Sequence, residues 1–183
     1  MINTLVGIIA SSGGLAGGDY ESIATVTVGA GGQSSITFSS IPSTYQHLQI
    51  RAILKNTSSS TYAAMRFNSD SGTNYSAHYL DGDGSTTLVG AAANYDRSYF
   101  GYAGTSTQTN IFGATIVDIL DYKDTNKFKT VRVLTGVDVN GSGGYIELSS
   151  SAWRSTSAIT DINIFFANNF AQYSSFALYG IKG

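Results

Sequence analysis

The stretch His47-Leu-Gln-Ile-Arg-Ala-Ile-Leu-Lys55 decides the fold class. Apolar and polar residues alternate along it, which places Leu48, Ile50, Ala52 and Leu54 on one side. Successive side chains of a β-strand point to opposite faces of a sheet, so this alternation predicts a strand with one face in the core. Such a half-covered strand is typical of antiparallel sheets.

Further runs along the chain have the alternating, β-branched or aromatic composition of strands. They are residues 21–28, 34–39, 62–68, 77–80, 98–103, 110–121, 128–138, 145–148, 159–166 and 175–181. No stretch shows the 3.6-residue period of an amphipathic helix. The sequence therefore predicts an all-β domain, an antiparallel two-sheet sandwich that is most simply a jelly roll, with an extended N-terminal arm.

The apolar positions of these runs predict the core. Residues 110–121 are apolar on both faces, and we expect them to form a central strand that is covered on both sides. The residues expected to be largely buried are Leu48, Ile50, Leu54, Phe67, Ile116, Leu134, Ile162, Ile164 and Leu178.

The composition limits the possible functions. The chain has 183 residues and no Pro-rich or charged linker, so residues 19–183 are expected to form one domain. Ten Lys and Arg against twelve Asp and Glu give a net charge of -2 and provide no basic patch for nucleic acid. The chain contains no cysteine, which excludes disulfides and thiolate metal sites.

Residues 1–18 differ in character from the rest. Residues 1–10 are apolar, but they are too few to span a membrane, and no positive charge precedes them as in a signal peptide. Gly and Ser dominate residues 11–18, which is the composition of a flexible hinge. We expect the arm to bind another chain through its apolar side chains, which are Ile2, Leu5, Val6, Ile8 and Ile9.

No group of residues has the pattern of a catalytic site. His47 and His78 share no metal-ligand spacing. Asp118 and Asp121 suggest the carboxylate pair of a glycosidase, but residues three apart on a strand point to opposite faces. We therefore expect no catalytic residue, no cofactor and no enzymatic activity.

Asp81-Gly-Asp-Gly84 resembles part of a calcium loop. A complete loop needs further oxygen ligands and a bidentate Glu, which do not follow here. Asp81 and Asp83 are thus the candidate ligands of an ion, and an Asp-Gly turn is the alternative.

An aromatic cluster lies in residues 94–102. Its members are Tyr95, Tyr99, Phe100 and Tyr102. This density of rings is typical of a subunit interface or of a platform for a glycan. Filling of the core explains it equally well.

Several stretches resemble a group of small tailed-bacteriophage virion proteins. They are Asp19-Tyr-Glu-Ser-Ile-Ala-Thr-Val-Thr-Val28, Ser40-Ile-Pro-Ser-Thr-Tyr-Gln-His-Leu-Gln-Ile-Arg51, Val117-Asp-Ile-Leu-Asp-Tyr122 with Thr125-Asn-Lys-Phe-Lys-Thr130, and Phe170-Ala-Gln-Tyr-Ser-Ser-Phe-Ala-Leu-Tyr-Gly-Ile-Lys-Gly183. The resemblance implies a β-sandwich structural protein of the virion, assembled in the cytoplasm of the bacterial host. It carries over no catalytic residue.

Three functional hypotheses follow from the residues and the resemblance. The first is a capsid decoration (cement) protein, a homotrimer that clips onto the major capsid protein and copies of itself and stabilises the head shell. The second is a tail, fibre or baseplate component that binds a host-surface glycan receptor. The third, a jelly-roll carbohydrate-active enzyme, lacks a suitable acid/base pair. Neither nucleic acid nor a membrane is an expected partner.

Overall fold

The computed structural model describes residues 18–141 and 143–183. The predicted arm residues Ile2, Leu5, Val6, Ile8 and Ile9 lie outside these ranges. Every regular element in the described ranges is a β-strand, and two antiparallel sheets pack face to face as the predicted sandwich. A search of these residues for a long apolar helix able to cross a membrane finds none.

Twelve strands are present in the described chain. They are β1 (Tyr20–Thr27), β2 (Gln33–Phe38), β3 (His47–Leu54), β4 (Tyr62–Phe67), β5 (Tyr75–Gly82), β6 (Thr87–Tyr95), β7 (Ser98–Tyr102), β8 (Gly113–Leu120), β9 (Lys129–Asp138), β10 (Gly144–Trp153), β11 (Ile162–Phe170) and β12 (Ser175–Ile181).

The two sheets differ in width. The larger sheet has eight strands in the order β1-β12-β3-β8-β9-β10-β5-β6, and the smaller has four in the order β2-β11-β4-β7. When β5–β6 and β9–β10 are set aside, the remaining strands alternate between the two sheets along the chain except at β4 and β7, which follow each other and pair within the smaller sheet. An eight-stranded jelly roll is built from two Greek keys, and its topology stays a prediction that this strand order favours.

The core lies between the two sheets and is almost entirely apolar. Seven of the residues predicted to be buried are confirmed, each with 0% exposure, and they are Leu48, Ile50, Leu54, Phe67, Ile162, Ile164 and Leu178. Four of them alternate along β3 and β12 of the larger sheet, and three come from β4 and β11 of the smaller one. The alternation of the sequence thus translates directly into the inward face of each sheet.

Two of the predicted core residues are wrong. Ile116 is 40% exposed and Leu134 is 51% exposed. The inward positions of β8 and β9 are taken by Val117 and Val133 with their alternate neighbours, so Ile116 and Leu134 point outward. The expectation that residues 110–121 are covered on both faces is also wrong, because β8 is buried on one face only.

We predict that Leu54→Ala and Leu134→Ala differ sharply in their effect on the free energy of unfolding. Leu54 is fully buried, so its truncation should cost about 2–5 kcal/mol. Leu134 is half exposed, so its truncation should cost about 1 kcal/mol or less. Urea denaturation of both variants measures the difference, and equal losses would contradict the assigned orientation of β9.

Candidate docking face

The outer face of the larger sheet carries a row of exposed aliphatic side chains. Ile116, Leu134, Leu148, Leu80 and Val89 lie directly opposite one another on the consecutive strands β8, β9, β10, β5 and β6. Their exposure ranges from 40% at Ile116 to 78% at Val89. Since neighbouring strands are about 4.8 Å apart, this aliphatic row is about 19 Å long.

A groove lies next to the aliphatic row. Its floor is formed by Ala114 and Gly136, which are paired across β8 and β9. Ile53 on β3 and Ile146 on β10 flank these small residues on either side. The groove has a volume of about 850 Å³, and Phe112 also lines it. We call the aliphatic row and this groove together the docking face.

Polar side chains border the docking face and form hydrogen bonds and an ion pair with one another. Gln49 donates a hydrogen bond of 2.7 Å to Asp118, and Arg51 donates one of 2.9 Å to Gln49. Arg132 pairs with Asp118 at 3.4 Å. The polar part of the outer surface is therefore internally bonded, whereas the aliphatic part has no cover within the described chain.

The inner surface of the larger sheet, next to β7, is closed by a tyrosine cluster. The ring of Tyr99 lies edge-on to those of Tyr62, Tyr79 and Tyr95, with centroid distances of 5.2, 5.8 and 6.2 Å. Tyr62 also meets Tyr102 edge-on at 5.0 Å. These rings fill the space that a wider second sheet would otherwise occupy.

Two buried carboxylates lie beneath the tyrosine cluster. Asp81 and Glu147 are directly opposite each other on β5 and β10, with exposures of 8% and 3%. Tyr102 donates a hydrogen bond of 2.6 Å to Asp81, and Tyr62 donates one of 2.7 Å to Glu147. Burial raises the pKa of Glu147, and the nearby charge of Asp81 adds to this shift. Burial also raises the pKa values of Tyr62 and Tyr102, which keeps both hydroxyls protonated as donors.

The two candidate calcium ligands have different partners. Asp81 is buried against Tyr102, whereas Asp83 lies in the exposed β5–β6 turn. The carboxylate of Asp83 accepts hydrogen bonds of 2.8 and 2.7 Å from the backbone N–H groups of Ser85 and Thr86. No group of three or more His, Asp or Glu that could hold a metal ion occurs among the residues that the structure describes.

The predicted aromatic platform is divided between core and surface. Phe100 is fully buried and packs against Phe176 at 6.1 Å, and Tyr102 is nearly buried. Tyr99 is half-buried, whereas Tyr95 is 43% exposed. Core filling therefore accounts for Phe100 and Tyr102, and Tyr95 is the exposed ring of the group.

Asp118 and Asp121 are not brought together as a carboxylate pair. Asp118 belongs to the polar border of the docking face, whereas Asp121 pairs with Lys127 at 2.5 Å. The backbone N–H of Asp121 donates to His47 at 2.9 Å. Each of these groups thus has a local structural partner.

Sequence reasoning missed the docking face, although a signal for it exists. Residues 110–121 are apolar on both faces, which predicts a strand that is covered on both sides. In this sheet the second face of β8 is exposed or half-exposed to solvent.

Comparison with known proteins finds no relative, since no family model, no curated protein and no solved structure matches this chain. The resemblance to bacteriophage virion proteins therefore stays a hypothesis.

We predict that Glu147→Gln changes the pH dependence of the free energy of unfolding. The pKa of Glu147 is raised in the folded protein above its ordinary value of 4.5. Its contribution to stability is therefore complete below that value and is lost as the pH rises through the folded pKa. The variant should lack this loss, so its stability relative to the wild type should rise as the pH rises above 4.5 and through the folded pKa.

Glu21→Gln is a control for which we expect the opposite change in the pH dependence of stability. Hydrogen bonds from Lys182 and Tyr45 lower the pKa of Glu21, so its contribution is present at neutral pH and is lost as the pH falls. Denaturant unfolding at a series of pH values measures both variants. A wild-type protein and a Glu147→Gln variant with the same pH profile would contradict the assigned burial of this carboxyl.

Proposed function

We propose that this protein is a structural component of a tailed-bacteriophage virion, specifically a capsid decoration protein that covers its docking face with the head shell. The observation that carries the proposal is the aliphatic row, five exposed side chains on five consecutive strands. Soluble monomers rarely expose large contiguous apolar patches, and those that do usually bind a partner there. Full burial of an exposed aliphatic side chain contributes about 1.5–3 kcal/mol, and these side chains, which are 40–78% exposed, contribute a corresponding part of it.

The shape of the aliphatic row favours a macromolecular partner. Small ligands bind in concave sites that enclose most of their surface, whereas the aliphatic row follows the outside of a sheet. The row is also free of charged side chains, so a protein surface can cover it without burying an unpaired charge. The resemblance to virion proteins supplies the identity of that partner, the major capsid protein.

A tail, fibre or baseplate component that binds a host glycan is the second candidate. The exposed ring of Tyr95, which rests edge-on against Tyr99 at 6.2 Å, favours it. Aromatic rings with one exposed face are a usual contact for sugars. This function would place the protein on the tail, and its loss would reduce adsorption to cells.

We predict that Leu148→Lys weakens binding to heads that lack this protein by about tenfold or more, because it places a charge in the centre of a buried apolar contact. Leu148 is 52% exposed, so the substitution should leave the domain folded. Thr130→Lys is the matched control. Thr130 lies on β9, is exposed on the same outer face of the larger sheet as Leu148, and is not part of the aliphatic row. Co-sedimentation with depleted heads measures the binding.

Depleted particles separate the two candidates. For a decoration protein, heads without it should release their DNA at a lower temperature and still adsorb to cells. For a tail component, adsorption should be lost while head stability stays unchanged, and Tyr95→Ala should then reduce adsorption. Equal binding of Leu148→Lys and wild-type protein to heads would contradict the role of the docking face.

A further inference from the structure

Strand β6 is a free edge of the larger sheet, beside the end of the aliphatic row. It is hydrogen-bonded to β5 on one side only. Leu88 and Val89 point to opposite faces of this strand and are 56% and 78% exposed. Residues 87–95 contain neither a charged residue nor proline, the features by which natural edge strands prevent further pairing. A β-bulge against β5 lies between Ala92 and Tyr95, so within the described chain the regular part of this edge, residues 87–92, is open to another strand.

The other edge strands in the described sheets lack this combination. β1 carries Glu21, which forms an ion pair with Lys182. β2 and β7 are short, with six and five residues, and neither has an exposed large apolar side chain. Among the described edges, β6 is thus the one that is long, uncharged and apolar on both faces.

The N-terminal segment has nearly the same sequence as β6. Residues 4–10 read Thr-Leu-Val-Gly-Ile-Ile-Ala, and residues 87–93 read Thr-Leu-Val-Gly-Ala-Ala-Ala, so five of seven positions are identical. Residues 4–10 contain no charge and no proline, and apolar residues fall on both faces of a strand. As a strand beside β6, such a segment would place apolar side chains next to those of β6 on both faces of the sheet.

The length of the connecting chain decides which copy supplies the segment. β1 and β6 are the opposite edges of the eight-stranded sheet, so a strand added next to β6 would lie eight spacings from β1. At about 4.8 Å per spacing, this distance is about 38 Å. Ten residues, 11–20, connect the segment to β1, and they span at most about 33–36 Å when fully extended. The fully extended connection therefore falls short of the distance along the sheet, which favours a second copy as the donor of the segment.

We propose that residues 4–10 of one copy add a strand to the free edge of β6 in a second copy. Main-chain hydrogen bonds along the edge supply affinity, and the aliphatic side chains of both strands bury one another. The donor segment precedes β1 and the acceptor is β6, and these strands lie at opposite edges of the sheet, so the contact is head-to-tail and either closes into a ring or continues as a chain. It joins copies of this protein with or without a virus particle, and so goes beyond the proposed function.

The oligomeric state of the full chain tests the contact. Sedimentation velocity should show association of the wild type at rising concentration. Val6→Lys in the donor segment and Val89→Lys at the acceptor edge should each raise the dissociation constant by about tenfold or more. Leu15→Lys, which lies between the segment and β1, and Leu148→Lys, which lies in the aliphatic row away from the edge, should associate like the wild type.

Crosslinking of mixed single-cysteine variants locates the contact, because the natural chain has no cysteine. A short bismaleimide should join Val6→Cys to Val89→Cys, and should not join Val6→Cys to Thr25→Cys on the opposite edge. The proposal would be overturned by any of three results: the wild type stays monomeric, the Val6→Lys variant associates like the wild type, or both cysteine pairs crosslink equally. If Leu148→Lys still self-associates but does not bind heads, the contact between copies is distinct from the contact with the head shell.

Discussion

The difference in width between the two sheets is the constraint on which the rest of the structure depends. Eight strands face four, so part of the larger sheet has no second sheet opposite it. Its inner surface is closed by the tyrosine cluster, which brings hydroxyl donors to Asp81 and Glu147. Its outer surface carries the aliphatic row, and within the described chain its far edge ends at β6 without a neighbour. The tyrosine cluster is thus a consequence of the difference in width, and the docking face and the edge of β6 both lie on the larger sheet.

Close packing between β7 and the larger sheet holds this arrangement in place. Thr115 and Thr135 share a hydrogen bond of 2.7 Å beneath Gly101, where a side chain would place its Cβ 2.1 Å from the Thr115 hydroxyl. Gly90 on β6 has a similar role, because a Cβ there would lie 2.3 Å from the Tyr79 hydroxyl. Glycine at these two positions allows β7 and the Tyr79 ring to approach the sheet closely, and the tyrosine cluster can then seal the inner surface.

Much of the fold follows from alternation, and the docking face does not. Strands such as β3 and β12 have one apolar face, so period-two patterning assigns their inward residues correctly. Ile116 and Leu134 stand beside the buried Val117 and Val133 in the sequence, and alternation alone does not tell which member of two adjacent apolar residues is covered, so their prediction as core residues is wrong. β6 was not predicted, because its Gly and Ala residues have low strand propensity and its place in the sheet depends on long-range pairing with β5. β10 was predicted too short for a related reason, since its Ser residues point inward beneath the tyrosine cluster.

Together these features describe a β-sandwich whose larger sheet we propose to serve in assembly. Hydrogen exchange of the full chain, resolved by peptide at low and at high protein concentration, tests this claim most directly. The account predicts that the backbone amides of residues 4–10 and of β6 exchange more slowly as the concentration rises, while those of β1 at the opposite edge are unchanged. Exchange at β6 that is independent of concentration while the protein associates, or protection that appears at β1 instead, would contradict it.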